Sequence, residues 1–184
     1  NVSRGFPGTH SVNLMEKKLF DWKKTGILNV PIYDKSLRSG LGDRSRWRTE
    51  TPDLVILEGW FLGIKPYSEG NHNKNDLDSC LSKNEINFRR KIQTNLISYQ
   101  KIWDLLEKIW HVKPEYFEYM KDWKCEQEEE MFKIKGSSLR DQKLIDFLRM
   151  LCNCIPHKSF DLINSNTLVI INKNRKLLKV SINN

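Results

Sequence analysis

Long apolar runs and a cysteine framework are both missing from this chain of 184 residues. No run approaches the roughly 20 apolar residues that a membrane-spanning helix requires. Because 39% of the residues are hydrophobic, the composition predicts a single globular domain, residues 1–184, located in the cytoplasm. The cysteines have the spacing of neither a zinc site nor a disulfide framework, so we expect reduced thiols at Cys80, Cys125, Cys152 and Cys154.

A single stripe of basic charge is missing too, although lysine and arginine outnumber acidic residues by 31 to 23 and the net charge is +8. A basic protein with six tryptophans could combine phosphate contacts with base stacking. The basic residues are scattered in short groups, which argues against nucleic-acid binding as the main function. Positive charge is in local excess at four arginines: Arg38, Arg44, Arg46 and Arg48. This excess suits a small anionic substrate and ATP equally well.

The segment 53–60 combines a short apolar run with a carboxylate. Its four apolar residues, 54–57, run directly into Glu58 and Gly59. This pattern predicts a buried parallel strand that ends at a ligand-binding crevice, where a charge is tolerated. In nucleotide-dependent kinases an acid at this position helps to hold magnesium. The alternative is an ordinary strand followed by a turn, with Glu58 solvated and Trp60 in the core.

Three upstream blocks precede this segment. They read Arg-Gly-Phe-Pro-Gly-Thr-His at 4–10, Val-Pro-Ile-Tyr-Asp-Lys-Ser at 30–36 and Gly-Leu-Gly-Asp-Arg at 40–44. Together with Glu-Gly-Trp at 58–60, this order of blocks resembles the D-glycerate 3-kinase family, P-loop kinases related to uridine kinase and phosphoribulokinase. Ser11 departs from the family pattern, which has Asp there. The resemblance covers most of the chain and is strong over 4–66.

The resemblance implies a P-loop kinase-like α/β fold of three layers with a mainly parallel sheet. Nevertheless, no Gly-x-x-x-x-Gly-Lys-Ser/Thr sequence occurs in the 184 residues. That loop supplies the N–H groups and the lysine that cradle ATP phosphates. We therefore expect this chain to be the carboxyl-terminal part of a longer kinase, carrying the acceptor-binding and lid region and inactive alone.

The resemblance also implies roles for individual residues. Glu58 would be a catalytic residue and a magnesium ligand, bound to the ion either directly or through a water molecule. Acceptor binding would involve seven residues of the upstream blocks: Arg4, Thr9, His10, Tyr33, Asp34, Lys35 and Arg44. The alternatives are a turn before a helix for 4–10, a turn in which Asp34 caps Ser36, and a solvated salt bridge for Asp43 and Arg44.

A further block, Trp-Lys-Cys-Glu-Gln-Glu at 123–128, resembles the family's Trp-Arg-x-Gln-x-Glu. It implies a lid in which Lys124, replacing arginine, brings a catalytic cation to the transferring phosphoryl group. A solvated helix with a Lys124–Glu128 pair is the alternative. Arg175, after a late strand, is expected near the adenine of ATP.

Periodicity and turn residues predict the order of elements. Helices are expected over residues 11–25, 85–99, 114–133 and 138–151, and strands over 27–33, 53–58, 102–112 and 167–171, with a short element of undetermined type over 177–182. The stretches 34–52 and 65–84 are expected to be polar loops.

The resemblance to the D-glycerate 3-kinase family implies a kinase that uses ATP and Mg²⁺ to phosphorylate D-glycerate to 3-phosphoglycerate. In a photosynthetic eukaryote it would be located in the plastid. One alternative is a kinase of the same fold with another acceptor, such as uridine or pantothenate. Another is a non-catalytic protein that binds a nucleotide or a partner. The sequence predicts no membrane partner and leaves the oligomeric state open.

Overall fold

The computed structural model describes residues 5–39, 41–66 and 81–183. These residues divide into two compact units. The first unit comprises the described residues up to Leu62 together with Ser98–Leu106, and the second comprises those of Gly63–Ile97 and Glu107–Asn184. The sequence-based prediction of a single domain stays a prediction. Within the described residues, no helix has the length and apolar character that crossing a membrane requires.

The first unit begins with a loop and helix α1, Val12–Thr25. The predicted helix 11–25 is thus confirmed. Gly26 ends α1 because it adopts the left-handed conformation, with φ of 73°, and its N–H donates to the Trp22 carbonyl.

An antiparallel hairpin follows, formed by β1, Leu28–Asp34, and β2, Asp43–Glu50. The strand predicted over 27–33 is confirmed, with a register shift between Pro31 and Tyr33 where proline lacks a ladder donor. The loop predicted over 34–52 is wrong because it contains β2. This strand is polar and exposed, so its sequence carries no apolar alternation.

The strand predicted over 53–58 is also wrong. Residues 54–59 have no regular secondary structure and pair with no other strand in the described part of the chain. Leu54 and Ile56 are 72% and 76% exposed, so the expected burial of both faces is not observed. The apolar composition indicated a capacity for burial, whereas a strand also needs a neighbour that supplies its ladder hydrogen bonds.

The second unit is built around a three-stranded sheet of order β3-β4-β5, formed by β3 (Trp110–Pro114), β4 (Thr167–Ile171) and β5 (Leu177–Ile182). Strands β3 and β4 are parallel, and β4 and β5 are antiparallel. The α/β class is therefore confirmed, whereas the mainly parallel arrangement is observed only for β3 and β4. The helices in this part of the chain are α2 (Lys83–Trp103), whose residues from Ser98 onward belong to the first unit, α3 (Tyr119–Lys135), α4 (Asp141–Cys154) and α5 (His157–Asp161).

Several predicted boundaries move in this half of the chain. The strand predicted over 102–112 is wrong at its start, because α2 continues to Trp103, and β3 begins only at Trp110. Pro114 is the last residue of β3 rather than the start of α3. The strand predicted over 167–171 is confirmed as β4.

Each unit has its own buried apolar residues. In the first unit the most deeply buried aromatic side chains are Phe6, Phe61 and Tyr99. In the second unit, Ile92 and Leu96 of α2 are fully buried. Among the described cysteines, Cys125, Cys152 and Cys154 are free thiols, and burial raises the pKa of Cys154 to about 12. Cys80 lies outside the described residues.

Helix α2 starts with a capping box that fixes its first turn. The N–H and the hydroxyl of Ser82 both donate to Glu85 Oε2, at 2.8 and 2.7 Å, and the Glu85 N–H donates back to the Ser82 hydroxyl at 3.4 Å. Arg149 of α4 donates to Glu85 Oε1 at 2.5 Å. The bonds from Arg149 and then from Ser82 hold the pKa of Glu85 well below its ordinary value. One carboxylate thus joins the start of α2 to α4.

We predict that Glu85→Gln lowers the free energy of unfolding by about 1 kcal/mol at pH 7, because glutamine keeps the capping oxygen but loses the charge that faces Arg149. A lowered native pKa stabilises above the ordinary glutamate pKa of 4.5, and this contribution declines as the pH falls below that value. The difference from wild type should therefore shrink in acid. Urea unfolding from pH 7 to pH 3 checks this, with the exposed Glu129→Gln as control. A difference that stays constant with pH would contradict the prediction.

Candidate active site

The loop Gly5–His10 carries two of the predicted acceptor-binding residues, Thr9 and His10, and is held by its own hydrogen bonds. Gly5 and Gly8 adopt φ of 95° and 97°, which side chains rarely tolerate. The Thr9 hydroxyl accepts from the Gly5 N–H at 3.1 Å and donates to the Phe6 carbonyl at 2.8 Å. The Thr9 side chain therefore shapes the loop in this structure. Arg4 lies outside the described residues.

Trp60 fixes the start of the same loop. Its indole N–H donates to the Gly5 carbonyl at 3.0 Å, and its ring meets Phe6 edge to face with centroids 5.7 Å apart. Phe61 packs against Trp60 in the same manner at 5.4 Å. Two of the sequence blocks, 4–10 and 58–60, are thus in direct contact. The alternative in which Trp60 is a core residue predicted packing of this kind.

Tyr99, near the end of α2, holds the other end of the loop. Its hydroxyl lies 3.0 Å from the Gly8 N and 2.9 Å from His10 Nδ1. The ring also packs edge to face against Phe61, with centroids 5.3 Å apart. Burial raises the pKa of Tyr99 and lowers the pKa of His10. Sequence reasoning missed Tyr99, because its position on the apolar stripe of a helix is also that of an ordinary core residue.

The β1–β2 hairpin presents the second set of predicted residues. The Tyr33 hydroxyl donates to the Leu41 carbonyl at 3.0 Å, and its ring lies so close to Gly42 that any Cβ there would collide with it. Gly42 also has φ of 82°, so both space and conformation require glycine. The Tyr33 side chain closes the turn between the strands while it remains exposed.

Asp34 and Lys35 start that turn. Asp34 Oδ1 accepts from the Ser36 hydroxyl at 2.6 Å and from the Ser36 N–H at 2.8 Å. These bonds, the side-chain one first, lower the pKa of Asp34. The alternative in which Asp34 caps Ser36 is therefore observed, and the acceptor role of Asp34 stays a prediction. Lys35 is exposed beside it.

Arg44 connects the hairpin to the segment that follows the Gly5–His10 loop. Its Nη2 donates to the Ser11 hydroxyl, and its side chain is exposed. Asp43 pairs with Arg38 at 3.6 Å rather than with the Arg44 guanidinium. The position at which the family has Asp is thus occupied here by a neutral hydroxyl that accepts from an arginine.

Glu58 is exposed at the end of the extended segment. Within the described residues, no group of three or more His, Cys, Asp or Glu side chains could hold a metal ion by itself. Magnesium in phosphoryl-transfer sites takes one or two carboxylates and completes its shell with phosphates and water. An exposed single carboxylate such as Glu58 fits that donor set as one ligand.

Lys124 lies on α3 and is paired in this structure. Its Nζ lies 2.5 Å from Glu128 Oε1, and the Glu128 side chain is only 4% exposed. Glu128 Oε2 also accepts from the Leu139 N–H at 2.8 Å. Burial raises the pKa of Glu128, but the bonds from Lys124 and Leu139 outweigh it and the pKa is lowered. The Lys124–Glu128 pair, the alternative reading, is observed, and a catalytic role for Lys124 stays a prediction.

Arg175 lies in the turn after β4 and contacts the same helix. Its guanidinium donates to Glu126 at 2.7 Å and lies 5.2 Å from the centroid of the Trp123 ring. A cavity of about 430 Å³ in the second unit is lined by Trp123, Lys124, Arg175 and neighbouring residues of α3 and α4. The structure therefore brings the two residues expected at the nucleotide end, Lys124 and Arg175, to one cavity.

Comparison with curated proteins finds kinases. The chain is 26% identical over 162 residues to the uncharacterized kinase mug58 of Schizosaccharomyces pombe, which covers 79% of this chain and 55% of that protein. It is 30% identical to the probable ATP-dependent kinase TDA10 of Saccharomyces cerevisiae, over 79% of this chain and 52% of that protein. It is 32% identical to the chloroplastic D-glycerate 3-kinase of Arabidopsis thaliana, over 79% of this chain and 32% of that protein.

Comparison with solved structures gives the same result. The D-glycerate 3-kinase from Cryptococcus neoformans var. grubii superposes with a TM-score of 0.79 at 25% identity, covering 98% of this chain and 70% of that one. The chain spans about half of the two fungal kinases and about a third of the plant enzyme. No protein-family model matches it.

We predict that Lys124→Met lowers the free energy of unfolding by about 3 kcal/mol or more, because it leaves the buried Glu128 carboxylate without its cation. The double variant Lys124→Met/Glu128→Gln should recover most of this loss, since glutamine is neutral and still accepts from the Leu139 N–H. Urea unfolding of both variants checks this. The control is Lys133→Met, an exposed lysine of the same helix. The prediction is wrong if Lys124→Met costs no more than this control.

Proposed function

We propose that this chain is the acceptor-binding part of an ATP-dependent kinase, because its homologues are kinases of the D-glycerate 3-kinase family. The observation that carries the proposal is the contact of Arg44 with Ser11. It brings a cation of the hairpin to the residue that follows the Gly5–His10 loop. Two blocks that are distant in sequence thereby border one polar region of the first unit.

D-glycerate is the acceptor that this region suits best. Its carboxylate needs cations, which Lys35 and Arg44 supply, and an arginine fork can bind both oxygens of a carboxylate. A hydroxyl group of the acceptor can donate to Asp34 Oδ2, because the Ser36 bonds use Oδ1. Their lowering of the Asp34 pKa keeps that carboxylate ionised and ready to accept.

The reaction would transfer the γ-phosphoryl group of ATP to the primary hydroxyl of glycerate. The hydroxyl oxygen forms the new bond to the γ-phosphorus, the bond between that phosphorus and the bridging oxygen of ADP breaks, and the hydroxyl proton passes to a general base or to water. Catalysis in this class rests on positioning and charge stabilisation. Glu58 would hold Mg²⁺, which neutralises charge on the phosphates when bound. Lys124 and Arg175, which line one cavity, would contact the nucleotide.

The activity would belong to a longer protein. The 184 residues include no Gly-x-x-x-x-Gly-Lys-Ser/Thr loop, and the kinases that the chain resembles are longer than the chain. A kinase of the same fold with another acceptor, such as uridine or pantothenate, is the second candidate, because only exposed loops would distinguish the acceptors. A location in the cytoplasm, or in the plastid of a photosynthetic eukaryote, stays a prediction.

We predict that the full-length kinase releases ADP from Mg-ATP in a manner that depends on D-glycerate. The reason is that the acceptor hydroxyl must be present for productive transfer. A coupled ADP assay with and without D-glycerate measures this, with uridine and pantothenate as parallel acceptors. Turnover with another acceptor only would replace D-glycerate in the proposal, and no turnover with any acceptor would favour a non-catalytic binding protein.

We predict that Glu58→Gln in the full-length kinase lowers kcat by roughly 100-fold or more, because the amide loses the charge that a metal ligand provides. Stability should change by less than about 0.5 kcal/mol, since Glu58 is exposed. Steady-state rates at several Mg²⁺ concentrations and urea unfolding check both parts. The matched control is Glu129→Gln, and a turnover equal to that of the control would exclude the metal role.

A further inference from the structure

The imidazole of His10 has two nitrogens in different surroundings. Nδ1 lies 2.9 Å from the Tyr99 hydroxyl oxygen. Within the described residues, Nε2 has no hydrogen-bond partner, and His10 as a residue is exposed. The ring packs against Phe61 and Tyr99, with centroid distances of 5.8 and 6.0 Å, and these contacts hold its plane. One edge of the ring is therefore anchored and the opposite edge is open to a ligand.

The Tyr99 hydroxyl determines which nitrogen of His10 carries the proton. The Gly8 N–H can only donate, so it occupies one lone pair of the hydroxyl oxygen. Tyr99 is 1% exposed, and the hydroxyl hydrogen needs an acceptor of its own. The acceptor in reach is His10 Nδ1. If Nδ1 instead donated to the hydroxyl, the buried hydrogen of Tyr99 would lack a partner in the described structure.

This arrangement selects the neutral ring with the proton on Nε2, because the partner of one nitrogen fixes the tautomer of the other. Desolvation by the surrounding rings lowers the pKa of His10, which keeps the ring neutral at pH 7. The two rings that pack against the imidazole, Phe61 and Tyr99, are uncharged, so desolvation is the cause of the lowered pKa of His10.

We propose that Tyr99 is a positioning residue that fixes His10 as the Nε2–H tautomer, so that Nε2 donates a hydrogen bond to a carboxylate or hydroxyl oxygen of the acceptor substrate. This role rests on the proposed function for its ligand, whereas the tautomer itself does not. A neutral donor of fixed direction complements the cations Lys35 and Arg44. It recognises an oxygen without adding a charge that would attract other anions.

The tautomer is tested by ¹⁵N NMR of protein labelled at its four histidines. The His10 signal is identified by its loss in His10→Gln. We expect a pyridine-type Nδ1 and a pyrrole-type Nε2 in wild type. In Tyr99→Phe, which keeps the ring but removes the hydroxyl, we expect a mixture of tautomers. Tyr116→Phe, at an exposed tyrosine, should leave the signals unchanged. A protonated Nδ1 in wild type overturns the tautomer assignment, and no change in Tyr99→Phe overturns the role of Tyr99 in fixing it.

The role of Nε2 is tested by kinetics of the full-length kinase with D-glycerate. Glutamine places an N–H where Nε2–H lies, whereas asparagine mimics Nδ1, so the two variants separate the nitrogens. We expect His10→Gln to keep the KM for D-glycerate within about threefold and His10→Asn to raise it about tenfold or more. Tyr99→Phe should raise it by a smaller factor of about two or more, because a mixture of tautomers still contains the Nε2–H form. A tenfold loss corresponds to roughly one hydrogen bond. The KM for ATP should not change.

The two measurements distinguish the possible failures. If the kinase is active but Tyr99→Phe and Tyr116→Phe share one KM for D-glycerate, the positioning role is overturned while the proposed function stands. If no acceptor is phosphorylated, the proposed function and the role of Nε2 both fail, and the NMR result still decides the tautomer.

Discussion

The buried hydroxyl of Tyr99 is the contact on which the geometry of the Gly5–His10 loop depends. It bonds to two groups of the loop across 91 and 89 residues of sequence. The glycines let the backbone of the loop approach α2 and turn back, and Trp60 secures its first carbonyl. A loop with positive φ angles would otherwise sample many conformations. Two side-chain anchors, one at each end, restrict it to the single arrangement in which His10 presents its open edge.

Sequence alone predicted the helix α1 and the strand β4, because each has a clear period or a continuous apolar run that ends at a breaker. It could not predict β2, whose polar residues form a strand only because β1 pairs with them. Among the predicted site residues, Arg44 donates a hydrogen bond to Ser11, and no local sequence pattern indicated this contact. Tyr99 was missed for a related reason. A hydroxyl on an apolar helical stripe gives no signal of what it binds, since that depends on a loop about 90 residues away.

Lys124 can have two roles, a structural one in its ion pair with Glu128 and the proposed catalytic one. Burial of a carboxylate removes its hydrating water and costs several kcal/mol. The ion pair with Lys124 and the hydrogen bond from the Leu139 N–H offset that cost for Glu128. A lysine paired in this way can contact a phosphate only if it leaves the carboxylate or contacts the carboxylate and the phosphate at the same time. Because Glu128 also bonds to the Leu139 N–H, it keeps one partner when Lys124 moves. In the proposed lid role, Lys124 would therefore exchange its ion pair with Glu128 for contact with a phosphate when the nucleotide binds.

Residues 54–57, which directly precede Glu58, show how backbone pairing bears on the proposed magnesium site. The apolar side chains at 54 and 56 are exposed, and the backbone of this segment pairs with no strand in the described part of the chain. A carboxylate that holds a metal must keep its position within a fraction of an ångström, and a backbone fixed by ladder hydrogen bonds holds it more precisely than a loop does. Within the described residues, no strand supplies such bonds to this segment. A strand that pairs with it would fix Glu58 more precisely for the proposed magnesium site.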